Sequence, residues 1–197
     1  MTQENDSPVF SFAICLPPEA DMAVSGHKKN LFKEIGWFSS RNSQGHITFN
    51  GFGAHERKLQ VIERYAKSFC EQITPFSVSF DSLSAYPSSG ALCLSPEKES
   101  KKHLEKLMRL FNKNFPLKKG PSNDPHITIA KELDQEKLQI ASKLAKAGFS
   151  GLQFNCNAIH LRKLDRNGQY FIIRTFPLKG TDPSGFSSPQ LSLWPTD

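Results

Sequence analysis

Cysteine is scarce in this chain and scattered. Cys15, Cys70, Cys93 and Cys156 form no Cys-x-x-Cys pair, and each sits in an apolar stretch. That pattern argues against a disulfide framework or a zinc site and for small buried hydrophobes. Long apolar runs are also missing: nothing approaches the roughly 18–20 apolar residues of a membrane helix. Residues 1–7 are polar and include Glu4 and Asp6, so no secretory leader is read there. The expectation is a cytoplasmic protein with no membrane partner. No Gly-x-Ser-x-Gly elbow marks a serine hydrolase. Charge is only mildly one-sided, with Lys+Arg 25 against Asp+Glu 19 and a formal net charge of +6. This favours an acidic ligand or a nucleic acid weakly, since many basic surfaces are merely solvated. Hydrophobic residues at 38%, with 16 Phe among 197 residues, set the chain among globular proteins large enough for a sizeable core.

What the chain does have is a repeated tetrapeptide. His46-Ile47-Thr48-Phe49 recurs as His126-Ile127-Thr128-Ile129. Both copies read as short strands, because β-branched and aromatic residues suit a pleated surface. Alternation puts His46 and Thr48 on one face and Ile47 and Phe49 on the other. The second copy divides the same way. An imidazole and a hydroxyl two positions apart are separated by roughly 6–7 Å along a strand, a gap a phosphate can bridge.

The two copies occupy equivalent places in a repeated order. A strand over residues 9–16 ends at Pro17-Pro18, and a helix over 19–35 follows with Leu31, Phe32 and Ile35 on its apolar side. The 37–45 loop delivers the first His strand. Leu59, Ile62, Ala66, Phe69 and Ile73 recur at helical spacing, and Phe76, Val78 and Phe80 alternate as a half-buried strand. After a turn at 86–90 the order starts again. It gives a strand at 91–94, a helix opening at Ser95-Pro96-Glu97 and carrying Leu104, Leu107, Met108, Phe111 and Phe115, and the 118–125 loop into the second His strand. Asp134 is placed to cap a helix closed by Gly148. Residues 152–163 read as one strand, 165–168 as a hairpin turn and 170–176 as the last strand. Thr181 begins a tail rich in Pro, Ser and Gly, expected to be loose, although Leu191, Leu193 and Trp194 could dock it.

Two histidines facing one substrate can divide acid–base work, because a reference pKa near 6.5 lets one ring be neutral and the other charged. The neutral ring takes a proton from an attacking water or hydroxyl, and the charged ring protonates the leaving oxygen. Thr48 and Thr128 would donate to the non-bridging phosphate oxygens. Such chemistry suits a strained cyclic phosphodiester and needs no metal or other cofactor. A catalytic zinc usually takes three protein ligands, and no third one is evident. Asp124 and Asp134 read as loop and cap residues. Lys131, just past the second motif, is a candidate phosphate contact. Arg41, Lys118 and Lys119, on the two loops entering the motifs, could steer an anion. Tyr86 and Tyr170 could stack on a base. His160 could line the cleft or serve the core.

The paired His-x-Thr motifs resemble the two signatures of the two-histidine phosphoesterase superfamily, and within it the 2′-5′ RNA ligase and RNA 2′,3′-cyclic phosphodiesterase branch. Phe12-Ala13-Ile14 with Leu16-Pro17, then Ile159-His160-Leu161, Asn167-Gly168-Gln169-Tyr170 and Phe176-Pro177-Leu178, resemble that branch's opening strand and closing hairpin. The resemblance implies an α+β fold over residues 8–180, one domain of two pseudo-symmetric βα lobes. Their antiparallel sheets face a central cleft, and 181–197 form the tail. It implies opening of 2′,3′-cyclic phosphates on RNA ends or nucleotides to 2′-phosphates, with reversible 2′-5′ joining in some members. His46 and His126 are then the catalytic pair, with a lean towards His46 as acid and His126 as base. Thr48, Thr128 and Lys131 are the phosphate contacts, and a monomer is expected. Asn50-Gly51-Phe52-Gly53 and Ala130-Lys131 depart from the branch's usual continuations and bear on substrate choice. The alternatives are a non-catalytic module for RNA or nucleotide 2′-phosphates, and action on another cyclic or 2′,5′-linked nucleotide.

Overall fold

The computed structural model describes residues 7–117 and 123–181. In chain order the elements are β1 (Val9–Cys15), α1 (Pro18–Ile35), β2 (His46–Gly53), α2 (Glu56–Cys70), β3 (Phe76–Tyr86), β4 (Ala91–Pro96), α3 (Lys98–Lys113), β5 (Ile127–Ala130), α4 (Gln135–Gly148), β6 (Leu152–Cys156), β7 (Ala158–Leu164) and β8 (Tyr170–Pro177). Local chemistry sets several of the boundaries. Pro18 opens α1, where a missing N–H costs nothing. The Asp134 carboxylate caps α4 by accepting from the Lys137 N–H at 2.8 Å. At the last hairpin the Asp165 carboxylate accepts from the Asn167 and Gln169 N–H groups at 2.9 and 2.8 Å. Gly168 supplies the positive φ of +76° that the turn requires. The expected loose tail lies outside the described residues apart from Thr181.

The strands form two four-stranded sheets, β2-β1-β7-β8 and β5-β4-β3-β6, and every pairing is antiparallel. This is the expected α+β, two-lobed architecture. Each motif strand lies at the edge of its sheet, beside a central strand (β1 or β4).

Two details differ from the sequence expectation. The sheets do not coincide with the two sequence halves. β3, from the first half, pairs with β4 and β6, and the β7–β8 hairpin completes the first sheet in its place. The expected strand over 152–163 is also two strands in different sheets, parted at Asn157. The reason is a slip in the buried positions: Phe154 and Cys156 are followed by Ile159 and Leu161, so strict alternation breaks between Cys156 and Ile159.

The helices interlace the lobes further. α1 follows β1 but packs against α4, β5 and β6, whereas α3 follows β4 yet also contacts β2. The Phe111 ring of α3 meets Phe12 and Phe49 of the first sheet and Tyr65 and Phe69 of α2. The four cysteines are free and buried. No helix among the described residues is long and apolar enough to cross a membrane.

Gly90, in the β3–β4 turn, is required by both conformation and space. Its φ is +60°, and a Cβ would lie 2.1 Å from the Leu133 carbonyl oxygen. Gly90→Ala is therefore expected to cost about 2–3 kcal/mol through backbone strain and overpacking. Urea denaturation measures this, and an unchanged midpoint with an unchanged slope would refute it.

Candidate active site

The two motifs have the same burial sequence: half-buried His, buried Ile, half-buried Thr, then two buried residues. The first four positions follow strand alternation, but Asn50 and Ala130 do not. The cause is a bulge in each sheet. Phe12 pairs with Asn50 and Ala13 with Thr48, which leaves Phe49 unopposed. Leu92 pairs with Ala130 and Cys93 with Thr128, which leaves Ile129 unopposed. The bulge turns Asn50 away from the His face. Its amide donates to Asn112 Oδ1 at 2.8 Å, and Asn112 donates to the Phe49 carbonyl at 3.2 Å. The unusual residue after the first motif thus serves the α3 interface.

The motif edges β2 and β5 approach within 8 Å, Cα to Cα. Each imidazole is oriented by the backbone carbonyl two residues before it. His46 Nδ1 lies 2.6 Å from the Gln44 oxygen, and His126 Nδ1 lies 2.9 Å from the Asp124 oxygen. A carbonyl can only accept, so Nδ1 carries the hydrogen in both rings and Nε2 is the atom left for proton exchange. The two rings also feel one another, since His126 is among the positive neighbours that disfavour a charged His46.

The surroundings of the two rings differ in sign. Burial by the cleft walls pushes His46 down to about 3, with the Arg162 guanidinium as the next cause and Lys28 and His126 adding to it; the Gln44 carbonyl opposes. Arg162, on β7, is 5% exposed. It donates to Ser11 Oγ at 3.0 Å and lies 5.0 Å from the Tyr170 ring centroid, while its Nε has no hydrogen-bond partner among the described residues. Beside His126 stands a carboxylate instead. Asp124 Oδ2 is 3.9 Å from His126 Nδ1 and accepts from the Tyr86 hydroxyl at 3.1 Å, and Asp124 Oδ1 is 3.4 Å from Lys101 Nζ. Asp124 is thus more than a loop residue, and Tyr86 is tied to this side of the site.

The other candidates divide. Lys131 is exposed and pairs with Glu132 at 3.1 Å. The Arg41 guanidinium lies over the Phe32 ring, 3.6 Å from its centroid. Lys118 and Lys119 lie outside the described residues. His160 Nδ1 accepts from the Cys15 N–H at 3.3 Å, and burial lowers its pKa. Tyr170 is 39% exposed. Thr128 Oγ1 is 4.0 Å from Cys93 Sγ. Among the described residues no group of three or more His, Cys, Asp or Glu gathers as metal ligands.

Sequence reasoning missed Arg162, Asp124 as a neighbour of His126, and the buried Lys28. Arg162 sits two residues after His160 on one strand and so shares its face, a signal that was available. Asp124 gave no such signal, because its place depends on β3 and α3.

Two interlaced antiparallel sheets with a His-x-Thr strand at the edge of each define the two-histidine phosphoesterase fold. The sequence model of the 2′-5′ RNA ligase superfamily matches residues 19–168, and the chain belongs to that superfamily. Solved structures agree in fold. Escherichia coli LigT complexed with 3′-AMP superposes with a TM-score of 0.65 at 15% identity, over 88% of this chain and 99% of that one. TT0787 of Thermus thermophilus gives 0.63 at 18%, over 88% and 100%. Usb1 of Kluyveromyces marxianus gives 0.53 at 13%, over 86% and 98%. No curated protein matches the chain in sequence.

Proposed function

We propose that this protein is a phosphodiesterase that opens 2′,3′-cyclic phosphates on RNA ends or nucleotides to 2′-phosphates. One observation carries the proposal: two imidazoles on adjacent sheet edges, each held through Nδ1 by the carbonyl two residues earlier and each followed by a half-buried threonine. Structural likeness to a LigT complexed with 3′-AMP supports a nucleotide ligand.

The charges favour His46 as base and His126 as acid, the reverse of the sequence lean. Burial, and then the Arg162 guanidinium, keep His46 neutral, whereas the neighbour of His126 is the Asp124 carboxylate. His46 Nε2 takes a proton from water as its oxygen bonds to phosphorus. The P–O3′ bond breaks, and His126 Nε2 gives its proton to O3′. Thr48 and Thr128 hydroxyls donate to the two non-bridging oxygens, where negative charge concentrates. Solvent then returns a proton to His126 and removes one from His46. A ribose 5′-hydroxyl in place of water would give a 2′,5′ linkage by the same transfers. Lys131 is proposed as a phosphate contact on release from Glu132.

The test is turnover of a nucleoside 2′,3′-cyclic phosphate in EDTA, with the product identified as 2′- or 3′-phosphate. Absence of turnover combined with tight binding of a nucleoside 2′-phosphate would instead support a binding module. The pH dependence follows from the His46 environment. The ratio kcat/KM reports the free enzyme. A base must be neutral, and the His46 pKa is lowered, so the acidic limb is expected below the ordinary histidine value of about 6.5. If His46 were the acid, the same lowering would confine activity to acidic solution.

A further inference from the structure

The apolar stripe of α1 contains a lysine. Ala20, Val24, Lys28, Leu31 and Ile35 are its buried residues, and Lys28 is only 1% exposed. A buried ammonium needs several acceptors to offset its lost hydration. Lys28 Nζ has three: the Ser40 carbonyl at 3.1 Å, the Ser43 carbonyl at 2.7 Å and Ser43 Oγ at 3.1 Å. All belong to the loop that delivers His46. Burial lowers the Lys28 pKa to about 8, and Asp21 on the same helix opposes this. Asp21 itself accepts from the Gly45 N–H at 2.7 Å, so α1 holds the loop at three residues.

Two onward links make this more than loop packing. Ser43 and Gly45 flank Gln44, whose carbonyl orients His46. Ser40 Oγ donates to the Ile129 carbonyl at 3.2 Å, and Ile129 is the bulged residue that closes the second motif. A single ammonium therefore stands behind both motifs.

We infer that Lys28 is a positioning residue whose clamp on the 38–45 loop fixes the His46 tautomer and sets His46 in register with His126. This rests on the phosphodiesterase function proposed above. The loop geometry does not, so one readout is independent of turnover.

The experiment compares the wild type with Lys28→Met, which keeps the length and removes the charge and donors. Imidazole nitrogen NMR follows the His46 tautomer and titration, and steady-state kinetics uses a nucleoside 2′,3′-cyclic phosphate. In K28M the fixed Nδ1–H tautomer is expected to give way to a mixture. The kcat is expected to fall by about 10²-fold, as small misplacements of catalytic groups do, with KM little changed. The His46 titration is expected to move up, since one of the positive groups facing the ring is gone, leaving Arg162 and His126 among the described residues. Unchanged kcat and an unchanged His46 spectrum in a folded K28M would overturn the inference. A merely structural lysine would lower the melting temperature and leave those readouts alone. If the wild type shows no turnover, the phosphodiesterase proposal fails and the NMR arm still decides the clamp. If K28M does not fold, Ser43→Ala decides, because it removes one acceptor and keeps the charge. A disturbed His46 spectrum would support the clamp, and an unperturbed one would sink it.

Discussion

Replacing His46 or His126 by alanine is expected to lower kcat on a 2′,3′-cyclic phosphate by about 10²–10⁴-fold, the usual share of one general acid or base. Each ring presents Nε2 after Nδ1 is committed to a carbonyl, so neither has a second nitrogen free for the work. Affinity for a nucleoside 2′-phosphate should change far less, because Thr48 and Thr128 remain. The double variant should be scarcely worse than either single one, since groups that act as a unit do not contribute additively. Single-turnover kinetics and product titration separate the two quantities. Activity within tenfold of the wild type in both single variants would end the acid–base proposal.

Phe111→Ala is expected to cost about 3–5 kcal/mol of folding stability, the range for a large aromatic removed from a core. Phe111 is 0% exposed. Its ring centroid lies 5.1 Å from Phe12, 5.4 Å from Phe49, 5.1 Å from Phe69 and 5.5 Å from Tyr65, and its carbonyl accepts from the Tyr65 hydroxyl. Four elements thus meet on one side chain. Phe49 directly follows Thr48, so the cavity would open behind the first motif. Chemical denaturation should show the loss as a lower midpoint at constant slope. A loss below about 1 kcal/mol would mean the ring cluster collapses to fill the space.

Much of this was legible in the sequence. Duplication in a repeated order singled out the motifs, and alternation gave their buried and half-buried positions as far as Phe49 and Ile129. It failed at the next residue in each copy, because a bulge is set by the partner strand and leaves no mark on the motif itself. The tight turn at 86–90 already implied that β3 and β4 are neighbours, and so that sheets and halves could not coincide. Lys28 was overlooked, although it falls at helical spacing with the buried Val24, Leu31 and Ile35. The acid and base could not be assigned from the motifs, which are nearly identical. What separates them is a guanidinium from β7 on one side and a carboxylate from the loop before β5 on the other.

The crossing at Asn157 has a mechanical consequence. One residue separates a strand of the second sheet from a strand of the first, and β3 makes the opposite exchange. Swinging the lobes apart would break no strand pair, since every pair lies within one sheet, but it would strip α1 from α4, β5 and β6 and α3 from β2. The gap between the two imidazoles is therefore settled when the chain folds. On the proposed mechanism, the entropy of bringing the two rings together is then spent before any substrate arrives.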